Sequence, residues 1–143
     1  MTYIDPSPEN FAAFKALPRD TPIQMLNLIK FKAQADYPES HPNHGKGLTG
    51  AEAYRQYGRA IQPILARLGA AMVWQGRPEC VVIGPAGEWD DAFVMGYPNS
   101  AAFLTMVSDD EYKRHVVHRT AAVADSRLVR FASNEPGEAC AKD

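Results

Sequence analysis

The 143 residues include only two cysteines, Cys80 inside an apolar run and Cys140 near the C-terminus. Their spacing fits no disulfide framework, zinc site or redox pair. Excess charge of one sign is also missing: 15 Lys and Arg stand against 17 Asp and Glu, a formal net charge of -2. Such a balance supplies no basic field for nucleic acid or an anionic membrane, so neither is an expected partner. No apolar run approaches the ~20 residues of a spanning helix. The N-terminus carries Asp5, Pro6, Pro8 and Glu9 where a secretory signal needs a basic end and an apolar stretch. A cytoplasmic protein is therefore expected. There is no Gly-rich phosphate loop, no Gly-x-Ser-x-Gly elbow and no cysteine beside a base, so no cofactor is expected. His41 and His44, with Asp36 and Glu39 nearby, are metal-capable types at a spacing that matches no standard site, and no metal is expected either.

What is present suffices for one domain: hydrophobic residues make up 45% and charged residues 22%, ordinary for a globular chain of this length. Ser7-Pro8-Glu9 reads as a helix start, with Phe11, Phe14 and Leu17 as a short apolar stripe. Residues 1–19 are accordingly expected to be a helical extension, 20–133 the domain proper and 134–143 a polar, frayed tail. Ile23 to Phe31 has strand length and carries apolar residues on both alternating sets. From Ala33 to Leu48 no period is visible, and a structureless stretch of that length is a candidate flap. Thr49 and Glu52 form a capping box, after which Tyr54, Tyr57, Ile61, Ile64 or Leu65, and Leu68 share one helical face up to Gly69. Pro63 is expected to bend this helix.

Ala70 to Trp74 and Glu79 to Ile83 read as two parts of one ribbon interrupted at Pro78, with Trp89 to Tyr97 returning antiparallel. Asn99 or Ser100 opens a short helix, Ser108 to Glu111 reads as a second capping box before a helix running to about Ala124, and Arg127 to Ala132 supplies the last strand. Strand, helix, strand, strand, helix, strand is the ferredoxin-like α+β order with a four-stranded antiparallel sheet. In that order both helices cover one face of the sheet. The other face is apolar here, and large apolar patches are rare on soluble monomers. A homodimer with the two sheets facing each other is therefore expected, each fully buried aliphatic or aromatic side chain contributing about 1.5 to 3 kcal/mol.

Met25 to Phe31, Ala53 to Tyr57, Gly84-Pro85, Glu88 to Asp90, Tyr97 to Phe103 and His118 to Leu128 closely resemble the domain of unknown function 1330 family, in consistent order from about Pro22 to Phe131. The resemblance implies a dimeric α/β barrel, similar in shape to antibiotic-biosynthesis monooxygenases, muconolactone isomerases and chlorite dismutases. It implies no reaction, because one fold hosts many functions.

The candidate site residues follow from side-chain chemistry. Asn27, Tyr54, Tyr57, Trp74 and Trp89 offer aromatic surface and an amide to a small organic molecule held between sheet and helices. Aromatic residues at helical spacing can equally be core, in which case Asn27 satisfies a backbone group. His115, His118 and Arg119 recur at one flank of the last long helix with Asp125, which more readily supports the turn into the final strand. An imidazole can move protons and a guanidinium can hold an anionic oxygen, so His118 and Arg119 are the catalytic candidates and His115 a binding one. Polar residues on an amphipathic helix are otherwise its solvated side. The functional expectation is thus a small-molecule enzyme of cofactor-independent oxygenase or isomerase type, or a non-catalytic ligand-binding or structural homodimer.

Overall fold

The computed structural model describes residues 1–137; residues 138–143, which include Cys140 and most of the expected tail, lie outside the described residues. Ser7 accepts a hydrogen bond from the Asn10 amide at 3.1 Å, and Pro8 opens α1 (Pro8–Ala16). The chain continues through β1 (Ile23–Phe31), α2 (Gly50–Arg67), β2 (Ala71–Gly76), β3 (Asp91–Tyr97), α3 (Ser100–Ser108), α4 (Asp110–Ala122) and β4 (Val123–Phe131). The strands lie in the order β2-β3-β1-β4 with every neighbouring pair antiparallel. This is the ferredoxin-like βαββαβ sheet with α3 added before α4 and, ahead of β1, the extra helix α1. That helix has no buried residue and touches the core through Phe14, whose ring centroid lies 5.1 Å from that of Phe103.

Local chemistry explains the element ends. Thr49 and Glu52 close their capping box at 3.1 and 3.0 Å, and the Glu52 carboxyl is held below its ordinary range, chiefly by the Thr49 amide. Gly69 follows α2 at a φ of +74°, a left-handed position that suits glycine. Pro63 sits on the exposed side of α2, and the helix continues past it to Arg67.

Four details differ from the sequence reading. Glu79 to Ile83 is not a strand: β2 ends at Gly76 and β3 starts at Asp91, so no ladder partner remains for it. Val82 and Ile83 stand 90% and 94% exposed in that connection. The cap of α4 is Asp109, which accepts from the Glu111 amide at 2.7 Å. Ser108 belongs to α3, where its hydroxyl donates to the Leu104 carbonyl at 2.8 Å. Finally, α4 stops at Ala122 and β4 begins at Val123, because β1 offers ladder partners along its whole length.

The pleat of β1 divides the molecule. Ile23, Met25 and Ile29 face the helices and are buried among Tyr57, Ile61, Ile64, Met95, Tyr97 and Phe103 at one end and Tyr37, Ala53, Phe93 and Val123 at the other. Gln24, Leu26 and Leu28 alternate with them and lie opposite Gly96, Val94 and Ala92 on β3 and Phe131, Val129 and Arg127 on β4. Among the described residues no helix covers that second face. Trp74, paired with Val94, is 54% exposed there, and Phe131 and Val129 are 48% and 43% exposed. Near the start of β1 the side-chain oxygen of Gln24 is buried without a hydrogen-bond partner among the described residues. No helix among the described residues is long and apolar enough to cross a membrane.

Candidate functional site

Residue 27 shares its face with Met25 and Ile29, so Asn27 points to the helix side, half-buried, and donates from Nδ2 to the Met25 carbonyl at 3.1 Å. Its cross-strand neighbours are Phe93 and Leu128. Above the sheet, α2 delivers Tyr54 and Tyr57 one turn apart, their ring centroids 5.4 Å from each other. Tyr54 also meets Phe31 at 5.4 Å and Phe93 at 6.5 Å. Tyr57 hydroxyl and Tyr112 hydroxyl are 2.9 Å apart. Burial raises the pKa of both Tyr54 and Tyr57 well above the ordinary phenol value, opposed by the nearby positive charge of Arg119. Both phenols remain protonated at neutral pH, available as hydrogen-bond donors.

His118 and Arg119 are adjacent in sequence and serve different neighbourhoods, since successive helical residues point about 100° apart. The Arg119 side chain, 15% exposed, reaches toward β4 and the N-terminal segment. It donates to the Ile4 carbonyl at 2.6 Å and to Ser126 Oγ at 3.3 Å, with the Asp5 carboxylate 3.9 Å away. His118 instead faces the connection between β1 and α2. Its Nδ1 lies 2.7 Å from the Tyr37 hydroxyl in a bond where either atom can donate. The His41 ring stacks on Tyr37 at 4.6 Å and meets His118 edge-on at 5.4 Å. His44 Nδ1 is 2.9 Å from the Tyr37 carbonyl. Tyr37 is 3% exposed, and the Asp36 amide donates to the Ala121 carbonyl at 3.0 Å. The segment expected to be a flap is thus pinned to the end of α4.

Desolvation, and then the charges of His41 and His115, lower the pKa of His118 below the ordinary imidazole value. The unfolded chain binds that proton more readily than the folded one, so the stability His118 contributes is complete above about pH 6.5 and is lost as pH falls through its folded value. Thermal unfolding of wild type should therefore show Tm dropping from pH 7 to pH 5, with a shallower slope in His118→Gln. Equal slopes for the two proteins would remove His118 as the source.

The remaining candidates lie apart. Trp74 projects from the uncovered sheet face. Trp89 precedes β3 and sits against the Arg127 guanidinium, 5.1 Å from ring centroid to Cζ, on that same side, because Arg127 opposes Leu28. His115 is half-buried on α4 and reaches the cluster only as a neighbouring charge on His118. Asp125 accepts from the Tyr3 amide and from Arg127, both at 2.9 Å. The structure therefore brings Asn27, Tyr54, Tyr57 and Arg119 to the helix side, and groups His118 with His41. Tyr37 was missed as a partner of His118; the available signal was one tyrosine in a proline-rich polar stretch. Two surface concavities lie elsewhere: about 550 Å³ beside Arg19, Ala101 and Leu104, and about 220 Å³ lined by Pro78 to Val81 and Ala86 to Trp89. Among the described residues no group of three His, Cys, Asp or Glu is placed to hold a metal ion.

A four-stranded antiparallel sheet in this order, with helices over one face, a phenol and guanidinium group beneath them and an apolar reverse face, defines a ferredoxin-like α+β protein. The chain belongs to the domain of unknown function (DUF1330) family, whose model matches residues 47–132. It is 46% identical to the RPA0582 protein of unknown function from Rhodopseudomonas palustris, over 95% of this chain and 100% of that one, with a TM-score of 0.86. A structure of the methylated RPA0582 protein superposes at a TM-score of 0.88, with 46% identity over 96% of this chain and 98% of that one. SnoaB from Streptomyces nogalater, a cofactor-independent oxygenase, is 11% identical over 82% of this chain and 97% of its own, at a TM-score of 0.50. At that identity only the fold is shared. No curated protein matches the chain.

Proposed function

We propose that the protein is a homodimer whose protomers each bind a small organic molecule on the helix side of the sheet, through an oxygen of the ligand that Tyr54 and Arg119 hold. The observation that supports this most is electrostatic. Tyr54 is a phenol kept neutral by burial and acted on by the positive charge of Arg119, and Tyr54 packs against the same buried cluster as Ile4, whose carbonyl Arg119 holds, so a donor hydroxyl and a fixed cation serve one end of the core. A carbonyl, phenolate or carboxylate oxygen is what such a pair recognises. Tyr57 and Phe93 would supply the apolar wall. The aromatic content of the site is also core packing, and the two roles coexist when a ligand continues the same cluster.

A second reading, proton transfer by His118, is favoured by its 2.7 Å contact with Tyr37. That bond engages Nδ1, so Nε2 would be the nitrogen to exchange a proton with a reacting group. An oxygenase or isomerase activity would need it. The test of the first reading is a titration of a panel of small aromatic alcohols, ketones and acids against wild type, Tyr54→Phe and Arg119→Lys. Binding in wild type should weaken about tenfold in each variant, the cost of about one charge-assisted hydrogen bond. Ligands that bind both variants as tightly as wild type place the site elsewhere.

A further inference from the structure

Arg119 is already occupied, and its occupant resembles a ligand. One guanidinium nitrogen, Nη1, donates to the Ile4 carbonyl at 2.6 Å and lies 3.9 Å from the Asp5 carboxylate, so a carbonyl and a carboxylate oxygen already meet a group that pairs readily with carboxylates. The segment bringing them is attached lightly. None of residues 1–5 is buried. Tyr3 donates its amide to Asp125 at 2.9 Å and accepts from Ser126 Oγ at 2.7 Å, and its ring lies 4.8 Å from the Arg127 guanidinium. Ile4 packs against the same buried cluster as Tyr54. Met1, Thr2, Tyr3 and Asp5 are exposed and Ile4 is half-buried, so the segment is held by this short set of polar contacts, and a ligand that offers Arg119 a full carboxylate in place of a carbonyl competes with them.

We propose that residues 1–5 form a displaceable strap over Arg119 and that the ligand displacing it is a small organic carboxylate. Its two oxygens take the places of the Ile4 carbonyl and the Asp5 carboxylate. This rests on the binding reading above and adds the ligand class and the gate. Binding to the closed form is reduced by the fraction of molecules whose strap is open, so loosening the strap raises affinity without a new contact.

The experiment titrates benzoate and, as a neutral counterpart, benzyl alcohol into the full chain. Wild type, the strap-loosened Tyr3→Ala/Asp5→Ala protein, Arg119→Lys and Tyr54→Phe are compared, with backbone amide exchange of residues 2–5 followed in each. The expected result is benzoate binding at least tenfold tighter in the loosened protein and weak in Arg119→Lys, benzyl alcohol unaffected by the strap changes, and faster exchange at residues 2–5 when benzoate binds wild type. No gain for benzoate in the loosened protein overturns the proposal, as does benzoate binding to wild type that leaves residues 2–5 protected. Benzyl alcohol binding that depends on Tyr54, with benzoate not binding, overturns the strap while leaving the broader reading standing. If neither probe depends on Tyr54 or Arg119, both fall.

Discussion

Gly50→Ala is expected to be among the most damaging single substitutions in this protein, lowering unfolding free energy by about 3 kcal/mol or more. The reason is a three-way meeting of backbone. Gly50 opens α2, its amide donating to the Lys32 carbonyl at 3.1 Å, while the Lys32 amide donates to the Ala122 carbonyl at 2.8 Å. A Cβ at position 50 would collide with the Lys32 carbonyl oxygen and come within 2.8 Å of the Ala122 carbonyl oxygen. These atoms belong to the end of β1 and the end of α4, and they cannot retreat without breaking the bonds that join them. Overpacking against side chains costs about 1 to 3 kcal/mol; against paired backbone the cost lies at or above that range, a large part of the ~5 to 15 kcal/mol that holds a domain folded. Gly58→Ala is the matched control. Its Cβ would meet nothing within 4 Å, so the helix-propensity difference should raise stability by about 0.5 to 1 kcal/mol. Chemical denaturation of both variants gives the comparison, and a Gly50→Ala midpoint equal to wild type would show that the contact relaxes cheaply.

Leu28→Asp should have the largest effect on assembly, converting a dimer into monomers at micromolar concentration. Leu28 lies at the middle of the uncovered sheet face, opposite Ala92 and Arg127, with Leu26, Val94 and Trp74 beside it. A two-fold interface places each substitution in twice. Losing about 1.5 to 3 kcal/mol of burial per copy and desolvating two carboxylates should raise the dimer dissociation constant at least a hundredfold. Analytical ultracentrifugation across a dilution series reads both proteins. Wild type that sediments as a monomer throughout would remove the dimer, and with it the explanation for an apolar face of this extent. Because the substituted side chain points away from Tyr54 and Arg119, ligand binding on the helix side should survive in the monomer.

The element order was legible because each signal for it is local. The capping pair Thr49 and Glu52 lies three residues apart, and the alternation in Ile23 to Phe31 reports directly which side chains share a face. The misread stretch, Glu79 to Ile83, shows the limit of such signals. It has the composition of a strand, but a strand exists only where another offers a ladder, and the antiparallel register of β2 with β3 is exhausted at Gly76 and Ala92. Composition cannot count partners.

The candidate site divides in the same way. Residue types alone selected Asn27, Tyr54, Tyr57, His118 and Arg119, and helical spacing suggested that His118 and Arg119 act together. The fold separates them: one meets Tyr37, 81 positions away, and the other meets Ile4, 115 positions away. Those encounters have no periodicity to announce them.

Sequence by itself determined that this chain makes one α+β layer pair with a sheet apolar on both sides, since hydrophobic pattern and caps act within a few residues of where they are written. Tertiary structure alone decided which polar groups face each other, which strand candidate went unpaired, and that the N-terminal segment rests on Arg119. Those outcomes depend on where distant parts of the backbone meet, and hydrogen bonds of 3 Å are set by that meeting and not by spacing along the chain.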